Sequence, residues 1–188
     1  MRTDYVDPKT MWRVVDALRP QNALVMELCL ETGLRVGDAV ALPFSALHGQ
    51  SVSYRAQKTG KLGTAKISPD LFRKLLRNAD GFFLFPSRRS KSGHITRQTV
   101  WADVKRCAHV LGVAENVAPH SARKVFAVEH MKTEGVAAVQ RELQHGDLGT
   151  TLLYCLSDKR LFGMNEEVID RLYGIEQKLD RILEILEK

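Results

Sequence analysis

The rhythm of the apolar residues changes once along this chain, and that change limits the folds open to it. In "SVSYRAQKTGKLGTAKIS", residues 51–68, Val52 and Tyr54 alternate with polar neighbours, a Lys-Thr-Gly-Lys-Leu-Gly turn follows, and Ala65 and Ile67 alternate again. Period two on both sides of a glycine-bearing turn predicts a two-stranded hairpin, here with a basic tip. Elsewhere the spacing is helical. "VDPKTMWRVVDALR" predicts a first helix with Asp7 as N-cap and Pro8 at the first helical position, where its missing N–H is harmless. "QNALVMELCLETG" is a strongly apolar second helix, and Gly33 suits the left-handed cap that closes such helices. Ser68 and Pro69 start another helix; "FFLF" reads as a short buried strand or extended segment, and "PSRRSKSGHIT" as a basic loop. Further helices are expected at about 97–111, 120–134 and 136–144, with breaks at Gly112 and Gly135, and a last short helix carries Tyr154. The expected class is α+β: a mostly helical domain with one small antiparallel hairpin.

The last 24 residues read differently again. Val168, Leu172, Ile175, Leu179, Ile182 and Leu186 step by four and three, the seam of a coiled coil, with charged residues on its flanks. The chain therefore divides into a domain at 1–164 and a C-terminal heptad helix at 165–188. Charge follows the same division. The net formal charge is +6 over 188 residues, yet the tail carries seven acids against four bases, which leaves +9 on the body. A basic body suggests a polyanionic partner, nucleic acid being the commonest. The three cysteines, Cys29, Cys107 and Cys155, form neither a CxxC pair nor a metal-like cluster. With no signal peptide and no apolar run of membrane-spanning length, a soluble protein of the reducing cytoplasm is expected, with no membrane partner.

Six residues could carry chemistry, and each has an ordinary structural explanation as well. Arg35, just beyond Gly33, could counter the C-terminal dipole of the second helix. Lys58 could be a solvated turn residue, His145 a helix-terminating histidine and Tyr154 a core aromatic. His120 and Arg123, three apart, share a helix face near its N-terminus, where positive side chains oppose the dipole unless an anion is expected. Taken together the six describe one apparatus. Two guanidinium forks can clamp the non-bridging oxygens of a phosphodiester and stabilise charge on pentacoordinate phosphorus. A tyrosine with a pKa of about 10 becomes a usable nucleophile when a histidine takes its proton among nearby cations. A lysine on a mobile hairpin tip can protonate the departing sugar oxygen. Such a site needs neither metal nor other cofactor.

The order Arg35, Lys58, His120-x-x-Arg123, His145, Tyr154 resembles the catalytic domain of the tyrosine site-specific recombinases, the phage integrase family. "TGLRVGDAVAL" is similar to the family's first-arginine box, "KTGK" to its hairpin lysine, "APHSARKVFA" to its His-x-x-Arg box and "LQHGDLGTTLLY" to its final histidine-to-tyrosine box. The resemblance spans about residues 7–160, four boxes in order. It implies cleavage of one DNA strand by Tyr154 through a 3′-phosphotyrosyl link, which the 5′-hydroxyl of a partner strand resolves without ATP. Arg35 and Arg123 would then clamp the phosphate and Lys58 act as general acid. His120 would be general base or phosphate ligand, and His145 a phosphate donor. Double-stranded DNA is the implied partner, a tetrameric synapse the implied assembly, and a prokaryote or phage the implied origin. Three positions depart from the pattern: Gln144 replaces the usual glycine before the histidine, Ala122 a common leucine, and Asp38 the usual glutamate. Members usually carry a helical core-binding domain ahead of this one, whereas here the first helix begins within ten residues of the start, so either a piece of a longer protein or an unusually small member is expected. Two other readings share much of the residue set. One is a type IB topoisomerase, usually with a long linker before its tyrosine; the other is a non-catalytic DNA-binding protein on a recombinase scaffold.

Overall fold

In the computed structural model, which describes residues 3–87, 89 and 92–143, element boundaries fall where local chemistry sets them. Helix α1 (Pro8–Asp16) opens on Asp7, whose carboxylate accepts from the Thr10 N–H at 3.1 Å and the Thr10 hydroxyl at 2.6 Å. Helix α2 (Pro20–Thr32) closes on Gly33 at φ 65°, with the Gly33 N–H on the Cys29 carbonyl. A short α3 (Val36–Val40) and a 3₁₀ turn (Phe44–Ala46) lead into β1 (Ser51–Arg55). That strand pairs antiparallel with β2 (Leu62–Lys66), Ser51 opposite Lys66 and Arg55 opposite Leu62. Helix α4 (Pro69–Asn78) is capped by the Ser68 hydroxyl, which accepts from the Leu71 N–H at 3.1 Å and donates to Glu31 of α2 at 2.8 Å. Helices α5 (Arg97–Val110), α6 (Pro119–Glu134) and α7 (Val136–Leu143) follow. The fold is the expected α+β, mostly helical with a single hairpin among the described residues. The heptad tail, the boundary at 164 and the helix expected around Tyr154 lie outside those residues.

The strongly apolar α2 is the hub. Its buried residues Leu24, Val25, Met26, Leu28 and Cys29 occupy both sides of the helix, so it has no face to spare for solvent. It packs against α1, α3, α4, α5 and α6 and touches β2. "FFLF" proves extended and only partly buried: Leu84 and Phe85 are fully covered, whereas Phe82 is 78% exposed. It joins no sheet. Its contacts are isolated bridges, Pro43 with Phe83 and Pro86 with His94, and a proline has no N–H with which to extend a ladder. The Asp80 carboxylate accepts from the Phe82 and Phe83 N–H groups, each at 2.9 Å, which turns the chain there.

The N-terminal segment is fastened across the start of α6. The Ser121 hydroxyl donates to the Asp4 carbonyl at 2.7 Å, the Asp4 carboxylate accepts from the Asn116 N–H at 2.7 Å, and buried Lys124 donates to the Thr3 carbonyl at 2.7 Å. Ala118 stands at the N-cap of α6 and has no side-chain oxygen to offer. The Ser121 hydroxyl instead accepts from the Ala118 N–H at 3.3 Å. These bonds hold the first turn of α6 from outside.

Gly33 is where α2, α6 and α7 come closest. Its φ of 65° disfavours any side chain, and a Cβ there would sit 2.6 Å from both Leu143 Cδ2 and Phe126 Cδ1. Gly33→Ala should lower stability by about 2–5 kcal/mol, the left-handed strain and the overpacking acting together. Urea unfolding with an unchanged m-value measures it. A loss under about 0.5 kcal/mol, the scale of ordinary surface changes, would show that the three elements part without cost.

Candidate active site

The chain turns sharply at Gly33, buries Leu34, and places Arg35 at the N-cap of α3 with φ −69° and ψ 140°. The Arg35 side chain is half-buried and makes no hydrogen bond or ion pair with a described residue. Ninety residues on, α6 brings Arg123 against the same corner. Its guanidinium is 3% exposed, donating from Nη1 to the Gly33 carbonyl at 2.5 Å and from Nη2 to the Leu143 carbonyl at 2.6 Å. Both acceptors are helix-end carbonyls, the atoms a helix C-terminus leaves without an internal partner. Arg123 thus holds the ends of α2 and α7 together through their carbonyl dipoles.

His120 lies one turn earlier on α6, partly buried. Burial pushes its pKa down to about 4, and the positive charges of Arg123, Lys124 and Arg35 push the same way. At neutral pH the imidazole is uncharged, so it is able to accept a proton. Lys58 sits exposed in the hairpin turn at residues 57–59. The tip is free, but its base is tied. Buried Asp38 of α3 accepts from the Gln57 N–H at 3.0 Å, and the Gln57 side-chain amide donates to the Gly37 carbonyl at 3.1 Å. The residue beside Lys58 is thereby fixed to the helix that begins at Arg35.

Arg35, Lys58, His120 and Arg123 line one cavity of about 440 Å³ with Leu34, Val36, Gly37, Asp38, Gln57, Arg97 and Pro119. Three separate stretches of sequence converge there. Arg97, at the first position of α5, joins them and was not among the expected residues. Its signal was present in the sequence: like His120 and Arg123, it is a basic residue near the N-terminus of a helix. Gln57 carried no such signal. Among the described lining residues, Arg35, Lys58, Arg97 and Arg123 face a single carboxylate, Asp38, so the described lining is strongly cationic. Its chemistry suits an anion whose charge grows during reaction, because fixed cations there need no reorganisation. His145 and Tyr154 lie outside the described residues, so their placement relative to this cavity is not part of the geometry above.

Comparison with known proteins follows the same lines. The phage integrase family model matches residues 5–160, a stretch that contains all four boxes. Tyrosine recombinase XerD of Shewanella oneidensis is 30% identical over 155 residues, covering 75% of this chain and 51% of that protein. The chain spans about half the length of the curated relatives it matches. Among solved structures, the catalytic domain of bacteriophage HP1 integrase has a TM-score of 0.65 at 20% identity, covering 85% of this chain and 92% of that one. Lambda integrase bound to DNA has a TM-score of 0.71 at 18% identity, covering 88% of this chain and 64% of that one. At such identities the structural likeness speaks for a shared fold. The family match over most of the chain settles the relationship: this chain belongs to the phage integrase family.

Proposed function

We propose that this chain is the catalytic part of a tyrosine site-specific recombinase, cutting and rejoining double-stranded DNA through a 3′-phosphotyrosyl intermediate. The observation that carries the reading is the convergence of Arg35, Lys58, His120 and Arg123 on one cationic cavity in a member of the phage integrase family. The scissile phosphate lies between Arg35 and Arg123, whose donors stabilise the charge that builds on its non-bridging oxygens. The Tyr154 oxygen attacks phosphorus and its proton passes to His120, which is uncharged at neutral pH and gains basicity once the phosphate offsets the neighbouring cations. The P–O5′ bond breaks as the P–O(Tyr154) bond forms, and Lys58 gives a proton to the leaving O5′. His145 donates a hydrogen bond to the same phosphate. A 5′-hydroxyl from a second strand then attacks the phosphotyrosine, with Lys58 and His120 exchanging roles. One ester replaces another at each step, so no ATP is consumed. The relatives described above are recombinases and integrases, which favours this reading over supercoil relaxation and over a non-catalytic DNA-binding role. Strand exchange between two duplexes calls for four protomers, with Leu161, Phe162 and the seam from Val168 to Leu186 as candidate contacts between them.

Denaturing electrophoresis after incubation with randomised nicked duplexes tests the reading, because a nick just downstream of the cut lets the short fragment bearing the freed 5′-hydroxyl leave and traps the adduct. The parent should give a covalent protein–DNA species, and Tyr154→Phe should give none while binding duplex as well as the parent. An adduct on the Phe variant would assign the nucleophile elsewhere.

Lys58 is checked by making its proton unnecessary. On a duplex whose leaving O5′ is replaced by sulfur, Lys58→Ala should recover most of the cleavage rate it loses on ordinary DNA. Recovery by Lys61→Ala in its place would transfer the role along the hairpin tip.

His120 gives a pH test. Because the folded state resists a proton that the unfolded chain accepts at about pH 6.5, stability should be intact above that pH and decline as pH falls toward about 4. His120→Gln should flatten that decline. By NMR, the His120 ring should titrate near pH 4 alone and at higher pH with duplex bound, since a phosphate in the cavity offsets the neighbouring cations. A titration unmoved by DNA would place the phosphate away from His120.

A further inference from the structure

Arg97 lies outside all four boxes, yet it lines the same cavity as Arg35, Lys58, His120 and Arg123. Nothing local accounts for it. Thr96 already caps α5, its hydroxyl accepting from the Thr99 N–H at 3.2 Å. A positive charge at the first helical position opposes the helix dipole, and the first turn holds no acid to answer it. The Arg97 side chain is exposed and has no hydrogen bond or ion pair with a described residue. Some surface bases are paired with acids, Lys74 with Glu27 and Asp70, Arg106 with Asp103, Lys132 with Glu129, and Arg97 is not among them. The cavity also has depth. Arg123 is almost wholly buried and bonded to two carbonyls, whereas Arg97 is exposed to solvent.

We infer that Arg97 binds a second backbone phosphate of the DNA, the neighbour of the one seated between Arg35 and Arg123, and so fixes the register in which the strand enters the site. The choice of ligand rests on the recombinase reading above. A DNA strand carries a phosphate for every ~3.4 Å of helix axis, so a strand that lowers one phosphate onto the deep arginine brings the next past the cavity mouth. An exposed guanidinium there meets an anion already held in place. Its contribution is to binding and alignment, because the neighbouring phosphate has the same charge before and during the reaction.

The test compares Arg97→Ala, Arg97→Lys and Arg97→Asp with the parent 188-residue chain. Loss of one phosphate contact should make the plot of log affinity against log salt shallower by about 0.9 in Arg97→Ala, while Arg97→Lys keeps the parent slope. Neutral methylphosphonates placed singly on either side of the cut should weaken parent binding at one position, and at that position should cost Arg97→Ala nothing further. At saturating DNA the adduct rate of Arg97→Ala should stay within a few-fold of the parent. Arg97→Asp should melt no lower than the parent, the acid now suiting the helix N-terminus, while binding duplex more weakly than Arg97→Ala. An unchanged salt slope, or a methylphosphonate penalty that persists undiminished in Arg97→Ala, overturns the inference. So does a loss of adduct rate at saturation as large as that of Arg35→Ala, which would move Arg97 onto the reacting phosphate. The parent's own adduct separates the two readings: a slope change without any parental adduct supports the phosphate contact and sinks the recombinase chemistry.

Discussion

The two hydrogen bonds from Arg123 to the Gly33 and Leu143 carbonyls are the constraint on which the site depends. A guanidinium 3% exposed would be untenable without partners, since an uncompensated buried charge costs several kcal/mol. Here the partners are the ends of two helices, so the charge and the packing require one another. α6 supplies the arginine, α2 and α7 supply the acceptors, and the arrangement closes only because residue 33 has no side chain. Bonds from a charged donor contribute on the order of 1.5–3 kcal/mol each, enough to hold three elements at one junction. The junction also fixes what comes next in the chain, because Arg35 follows Gly33 by two residues.

A second tie brings the hairpin to that junction. Asp38 and Gly37, just past Arg35, receive the two Gln57 bonds, so the base of the tip is held while Lys58 remains exposed. This division suits a residue that must reach over a ligand and withdraw again, since a fixed base limits the search and a free side chain permits the motion. The bonds from Thr3, Asp4 and Asn116 act likewise on α6, holding the turn that carries His120. Each element is anchored through backbone atoms or buried side chains near its contribution, leaving Arg35 and Lys58 uncommitted to described neighbours.

The sequence carried these features unevenly, for physical reasons. Asp7, Ser68, Pro8, Pro69 and Gly33 act within a few residues of themselves, so the helix and hairpin boundaries were legible. The ordered boxes likewise named Arg35, Lys58, His120 and Arg123, which the fold gathers on one cavity. What sequence could not show is pairing across distance. The acceptors of Arg123 are backbone carbonyls 90 and 20 residues away, and every residue has a carbonyl. Gln57 looks like any turn residue until its N–H is found on Asp38. "FFLF" misled in part because apolar composition suggested burial, whereas flanking prolines and the Asp80 turn left Phe82 in solvent. Arg97 was readable by the same dipole rule that singled out His120 and Arg123, but it stands outside the boxes that drew attention to them.

The protein treats its cations in two ways, and the difference follows their place. Lys74 bridges Glu27 and Asp70, and Arg106 bonds Asp103, so on those faces positive charge is answered by carboxylate and little field remains. Around the cavity the solution is dipolar. Arg123 rests on carbonyls, and Arg35, Lys58 and Arg97 have no carboxylate partner among the described residues. The one acid among the described lining residues, Asp38, accepts a backbone N–H of the hairpin. Carbonyl dipoles can satisfy a guanidinium's donors without cancelling its charge, which a salt bridge cannot do. Among the described residues, the cavity lining is therefore left with an excess of positive charge. The pKa of His120 is depressed first by burial and then by the positive charges of Arg123, Lys124 and Arg35. Those same charges favour a polyanion at the mouth, so the field that attracts the anion also adds to what keeps the buried imidazole neutral.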